Sequence, residues 1–191
     1  LPFDIEVRSY FNYERFLFQK AQGGPEKLFL HDLLVADFYL KGVNKKNPFL
    51  SILNMHLKSP SRIRDTSFGE RRHEAYIAQE DQAIEDIIEL HRSEHPTTPL
   101  IIQGDSNREI DNSNLGLLLK AKGWTKPKFG QTILGQTLEE VDVIFAPNSL
   151  PSVSSKTLGL GFEKSAWPSD HAMVTSTFNI FELIKNYLLQ D

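Results

Sequence analysis

The chain contains no cysteine. That excludes disulfides, thiolate catalysis and cysteine-based zinc sites. It leaves the compartment open, cytoplasmic or secreted/periplasmic. No apolar run approaches the roughly 18 residues of a membrane helix. The first residues, LPFDIEVRSY, lack the basic and apolar regions of a signal peptide. Internal repeats, low-complexity tracts and linkers are also missing. The chain starts at Leu1 rather than methionine, and the expectation is a processed chain or a piece of a longer one. What remains is ordinary for a soluble globular domain: 191 residues, 40% hydrophobic and 24% charged.

The net charge of −4 argues against a surface coated in basic nucleic-acid contacts. The charge is uneven, however. Residues 58–73 hold Lys58, Arg62, Arg64, Arg71 and Arg72 against Asp65 and Glu70. Such a segment reads either as a solvated loop or as a phosphate-facing patch.

Hydrophobic patterning predicts a mixed α/β chain. Strands are expected near residues 1–12, over 33–42 and over 49–57, the last two joined by a hairpin loop at 43–48. Residues 19–27, with their Gly-Gly-Pro core, read as a loop. Over 70–96, Ile77, Ile84, Ile87 and Ile88 recur with helical spacing, and His91 extends their stripe. Residues 99–103 form an unbroken apolar run, expected of a strand covered on both faces. A short helix is predicted over 111–123, capped near Asn112 or Asn114 and ending near Gly123. Strands over 140–147 and 172–180 and a terminal helix over 181–190 complete the pattern.

Four polar clusters interrupt these apolar runs: Asn54-Met55-His56, Asp105-Ser106-Asn107 with Arg108, Asp142, and Ser169-Asp170-His171. In extended backbone, residues two apart face the same way, so Asn54 pairs with His56 and Asp105 with Asn107. Converging strand ends would gather carboxylates, amides and imidazoles without a thiolate. Such a donor set suits Mg²⁺ or Mn²⁺. An imidazole beside a carboxylate suits proton transfer or charge stabilisation. Together they are equipped to hydrolyse phosphate esters. Taken singly, each cluster has a plainer reading: a turn, a surface pair, a paired acid at a strand start, a cap.

NMHLKS, IIQGDSNRE, VDVIFAP and SDHAMV, in this order, resemble the C-terminal half of the endonuclease/exonuclease/phosphatase superfamily, with its deoxyribonuclease-I-like fold. LFLHDLLVADFYL followed by NMHLKS is similar to a bacterial branch with R-D-L-L and H-L-K-S segments. The resemblance implies the C-terminal part of a four-layered α/β sandwich, with mixed, mostly antiparallel sheets inside and helices outside. It implies metal binding by Asp170, with Asp105 and Asn107 positioning the attacking water or holding a second metal. His171 would contact the scissile phosphate, supported by Asp142 or Asp170. His56 would be the second catalytic imidazole, near the leaving group, and Asn54 would support it or touch phosphate. Arg108 is added as a candidate phosphate contact.

Three departures stand out. Ser106 replaces the usual Phe of GDFN, on the side facing away from the site. His31 stands where the branch carries Arg. The Gln-Glu whose Glu is a principal metal ligand of the family has no counterpart; Gln79-Glu80 lies mid-helix and is not taken for it. Residues 1–191 therefore read as one partial domain lacking roughly a hundred N-terminal residues. A lone half is expected to expose an apolar sheet face, which the N-terminal half or another chain would cover. Three functions follow: a Mg²⁺/Mn²⁺-dependent nuclease cleaving phosphodiesters by in-line water attack, the same chemistry on a lipid or small-molecule phosphate, or an inactive fragment acting as a binding module.

Overall fold

A computed structural model of the chain describes residues 3–9, 17–18, 26–27, 33–43, 46–58, 70–128, 141–150, 152–158, 171 and 173–189. Its centre is a six-stranded sheet. The strands are β1 (Phe3–Ser9), β4 (Leu34–Leu40), β5 (Leu50–His56), β6 (Leu100–Asp105), β8 (Asp142–Pro147) and β7 (Trp124–Thr125), in the order β1-β4-β5-β6-β8-β7. All neighbours are antiparallel except β5 and β6, which run parallel. A parallel pair needs a crossover, and helix α1 (Glu70–Glu94) lies in the connection between them. Two small antiparallel pairs complete the described strands: β2 (Leu17–Phe18) with β3 (Glu26–Lys27), and β9 (Ser152–Leu158) with β10 (Met173–Phe178). Helices α2 (Asn114–Ala121) and α3 (Phe181–Leu189) follow β6 and β10 respectively.

Strand alternation gives the large sheet two different faces. Val35, Leu53, Met55, Leu100, Ile102, Val143 and Phe145 point to one side, where they pack with Tyr76, Ile84, Ile87 and Ile88 of α1 and Leu115 and Leu119 of α2. Leu50, Ile101, Ile144 and Ala146 point to the other, towards Val174 and Phe178 of β10 and Leu183, Ile184 and Tyr187 of α3. Among the described residues both faces carry packed apolar side chains, but on the second face Phe38, Leu40 and Ile52 are only partly buried and Leu34 is exposed. Further exposed apolar groups sit on the small β9–β10 sheet, at Val153, Leu158 and Met173, and on α2 and α3, at Leu117, Phe181, Leu188 and Leu189. Among the described residues no helix is long and apolar enough to cross a membrane.

Several expectations need local correction. The stripe of α1 begins at buried Tyr76, with Ile77 only half-buried, and it carries Glu80 and Asp81 inside. The cap of α2 is Ser113, whose hydroxyl accepts from the Gly116 N–H at 3.1 Å, rather than Asn112 or Asn114. Gly123 does follow its end, at φ +90°. Within the predicted loop 19–27, Glu26 and Lys27 pair with Leu17 and Phe18; residues 19–25 lie outside the described residues. Strands β7 and β9 were not anticipated. His31 and Asp170 also lie outside the described residues, as do 59–69 of the basic segment.

Candidate active site

The register of the large sheet sets His56 opposite Asp105 across β5 and β6, and Asp105 opposite Asp142 across β6 and β8. Three polar residues thus stand side by side at one end of three neighbouring strands. They follow the alternation that aims Ile52, Ile101 and Ile144 into the second core, so they belong to that face. Apolar side chains hold the strands deep in the molecule, and the last residue of β5 and β6 and the first of β8 are left for chemistry.

His171 completes the group. Its Nδ1 lies 2.8 Å from Asp142 Oδ2, and its Nε2 lies 3.9 Å from Asp105 Oδ2. A carboxylate oxygen accepts from a ring N–H, so Nδ1–H donates to Asp142 and Nε2 is the ring nitrogen turned to Asp105. His56 Nε2 approaches the same Asp105 oxygen at 3.6 Å. Two imidazoles therefore flank one carboxylate, and a second carboxylate orients one of them.

Asn107 reaches this group by another route than strand alternation. The strand ends at Asp105, and Asn107 takes a left-handed backbone, φ 51°. Its own N–H donates to Asp105 Oδ1 at 2.7 Å, and its amide donates to Asp105 Oδ2 at 3.0 Å and to the Leu57 carbonyl at 2.9 Å. Asn tolerates this conformation because its side chain bonds locally. The turn fixes both oxygens of Asp105. Asn54, two residues before His56 on β5, has an exposed side chain beside the group.

The electrostatics follow from crowding. Burial pushes the Asp105 carboxyl above its ordinary range, and the nearby Asp142 charge adds to this. The Asn107 N–H and the two imidazoles pull the other way, and burial dominates. Asp105, Asp142 and His171 each offer one ligand atom, all within 4.8 Å of one another. Two carboxylate oxygens and an imidazole form a donor set that could hold a divalent cation. Asp142 and His171 enter this set, although the sequence suggested metal roles for Asp105, Asn107 and Asp170.

Arg108 is placed elsewhere. Its guanidinium turns away from His56 and His171 into the α1 side of the sheet. There Nη1 donates to Glu80 Oε2 at 2.7 Å and Nη2 to Asp81 Oδ1 at 2.6 Å. With a side chain only 7% exposed it is not offered to a phosphate. Ser106 is fully buried, and its hydroxyl lies 2.6 Å from the Val141 carbonyl and 2.7 Å from that of Arg108. Sequence reasoning foresaw that it faces away from the site but not that it joins β6 to the residue before Asp142. A separate cavity of about 350 Å³ lies at the opposite end of the strands, beside Phe49, Trp124 and Tyr187, and holds none of these site groups.

No family model and no curated protein matches the chain. Solved structures do match its fold. TDP2 from Caenorhabditis elegans aligns over 93% of this chain and 52% of its own, with TM-score 0.56 and 16% identity. The endonuclease/exonuclease/phosphatase from Bacteroides vulgatus aligns over 93% of this chain and 66% of its own, with TM-score 0.51 and 14% identity. A functionally unknown conserved protein from Enterococcus faecalis V583 aligns over 91% and 66%, with TM-score 0.50 and 16% identity. The chain has the deoxyribonuclease-I-like fold of the endonuclease/exonuclease/phosphatase proteins. It spans between half and two thirds of the length of these structures.

Proposed function

We propose that the protein hydrolyses phosphate esters with the help of a divalent cation, and that its substrate is a nucleic-acid phosphodiester. The observation that carries this reading is the convergence of His56, Asp105, Asp142 and His171 from three strand ends and the segment before β10. The shared fold supports it.

Asp105, with both oxygens held by Asn107, positions a water molecule and accepts its proton as the oxygen attacks phosphorus. The ester P–O bond opposite breaks in line. His171, whose Nδ1–H donates to Asp142, donates a second N–H, from Nε2, to the phosphate oxygens whose charge grows in the transition state. His56 stands on the other side of Asp105 and supplies a proton to the leaving oxygen. Asn54, exposed two residues before His56, would support that imidazole or contact phosphate. Asp105 and Asp142, together with Asp170 by resemblance, are the residues that would hold Mg²⁺ or Mn²⁺. The cation supplies neutralisation of the phosphate charge when bound. The preference for a polyanion rests on the five basic residues between 58 and 73.

Because the chain is shorter than the structures it matches, a further segment or a second chain is proposed to complete the metal set in the whole protein. The test is nicking of supercoiled plasmid by the 191-residue chain with Mg²⁺ or Mn²⁺, beside Asp142→Asn and Asp170→Ala controls, with Mn²⁺ binding followed by electron paramagnetic resonance. Nicking lost in both controls supports the reading. Mn²⁺ binding without nicking in folded protein points to the completing segment. A folded chain that neither binds Mn²⁺ nor nicks overturns it.

A further inference from the structure

The buried ions on the α1 side of the sheet connect with three of the site-bearing segments, those of His56, Asp105 and Asp142. Arg108 stands three residues after Asp105 and one after Asn107, with its guanidinium forked between Glu80 and Asp81. The other oxygen of Glu80 accepts the Lys58 N–H at 3.1 Å, two residues beyond His56. The Arg108 carbonyl meets the Ser106 hydroxyl, which also meets the Val141 carbonyl, next to Asp142. The Ser106 N–H donates to that same Val141 carbonyl at 2.7 Å. Segments 56–58, 105–108 and 141–142 are therefore tied together, and the Arg108 ions fasten the middle one to α1.

We infer that Arg108 is a positioning residue: through Glu80 and Asp81 it locks the Asp105–Asn107 turn and the end of β5, and so fixes the distance between Asp105 and the imidazoles of His56 and His171. The inference deepens the phosphoesterase reading and rests on it for its catalytic part. Two observations favour positioning over a purely stabilising role. The three side chains are 0%, 7% and 9% exposed, and two carboxylates share one guanidinium. Such a buried group is costly to desolvate, and apolar side chains of similar volume often serve stability as well or better. What apolar side chains cannot reproduce is direction. A planar fork fixes two acceptors at once, whereas Lys supplies a single point charge.

The experiment compares the full 191-residue chain with Arg108→Lys and with the triple variant Glu80→Met/Asp81→Asn/Arg108→Met, which leaves no buried charge. Thermal unfolding reports folding. Amide hydrogen exchange is followed at Lys58, Ser106 and Asn107, with Ile102 and Phe145 as core references. Steady-state kinetics use bis(p-nitrophenyl) phosphate with Mn²⁺. In each folded variant the three loop amides are expected to exchange at least about tenfold faster while the references hold. The kcat is expected to fall about ten- to hundredfold with KM nearly unchanged, the signature of misplacement by a fraction of an ångström to 1 Å. If Arg108→Lys fails to fold, the triple variant decides. Loop exchange as in the original chain, in either folded variant, overturns the inference. So does an unchanged kcat where exchange has risen. If the original chain hydrolyses nothing, the exchange result still decides whether the clamp exists, and the phosphoesterase reading fails separately.

Discussion

Gly104 offers a sharp test of how the sheet delivers the site. It pairs with Met55 across the parallel β5–β6 ladder, one residue before the His56–Asp105 pair, and its backbone has φ +135°. A Cβ built there lies 1.9 Å from the Met55 carbonyl oxygen and 2.9 Å from its carbonyl carbon. Both are backbone atoms in a paired strand, so no side-chain rotation relieves the clash. To reach even the shortest separation real Cβ atoms show, the Met55 carbonyl must withdraw by about 1 Å. That movement breaks one or two ladder hydrogen bonds, each worth about 1 kcal/mol. Holding a non-glycine residue at this φ adds about 1–3 kcal/mol of strain. Gly104→Ala should therefore cost about 2–5 kcal/mol, a large part of the roughly 5–15 kcal/mol that holds a domain folded. Urea unfolding followed by circular dichroism measures it as a lowered midpoint with unchanged slope. Mn²⁺ affinity should fall as well, because the strand end carrying Asp105 shifts against β5. A Gly104→Ala protein with the original midpoint and original Mn²⁺ affinity would refute the close-approach argument.

Asp105→Asn separates stability from activity. Burial raises the native Asp105 carboxyl above its unfolded value, so in metal-free protein its favourable contribution is fully present below the ordinary Asp range. That contribution is lost as pH rises through the raised native value. Urea midpoints of the metal-free variant should lie above those of the original chain at neutral pH, with the gap closing towards pH 4; a constant gap would contradict the burial argument. Asp142→Asn removes the charged acceptor 2.8 Å from His171 Nδ1 and should lower kcat about 10²- to 10⁴-fold on a phosphodiester while thermal stability changes little. Ile102→Ala, at a fully buried position remote from the polar group, should cost about 2–5 kcal/mol in urea unfolding and leave KM intact in the folded fraction.

Local patterning was legible because local physics decides it. The apolar run 100–102 announced a strand covered on both sides, and Ile84, Ile87 and Ile88 announced a helix with one buried face. Strand β9 was invisible because SVSSKTL is largely exposed and its hydroxyls take the place of an apolar stripe: Ser155 Oγ lies 2.5 Å from Ser176 Oγ on β10. Ser113 was passed over as the cap of α2 because Asn112 and Asn114 have the same chemistry one step away, and only the backbone path selects among them. Asn107 was assigned to the site for the wrong geometric reason. Strand alternation ends at Asp105, and a left-handed turn brings its amide back.

By itself the sequence determined which segments bury apolar side chains and which residue types interrupt them, since both depend on spacing along the chain. His56, Asp105, Asp142 and His171 were among the polar groups marked on that ground, as residues set in or beside apolar runs, together with Asn54, Asn107, Arg108 and Asp170. Only the tertiary structure decided their neighbours. Strand order and register depend on contacts between residues far apart in the chain, and these set His56, Asp105 and Asp142 in one row. The same register turned Arg108 away from the polar group, because the turn after Asp105 aims successive side chains to opposite sides of the sheet and Glu80 and Asp81 wait on the far one.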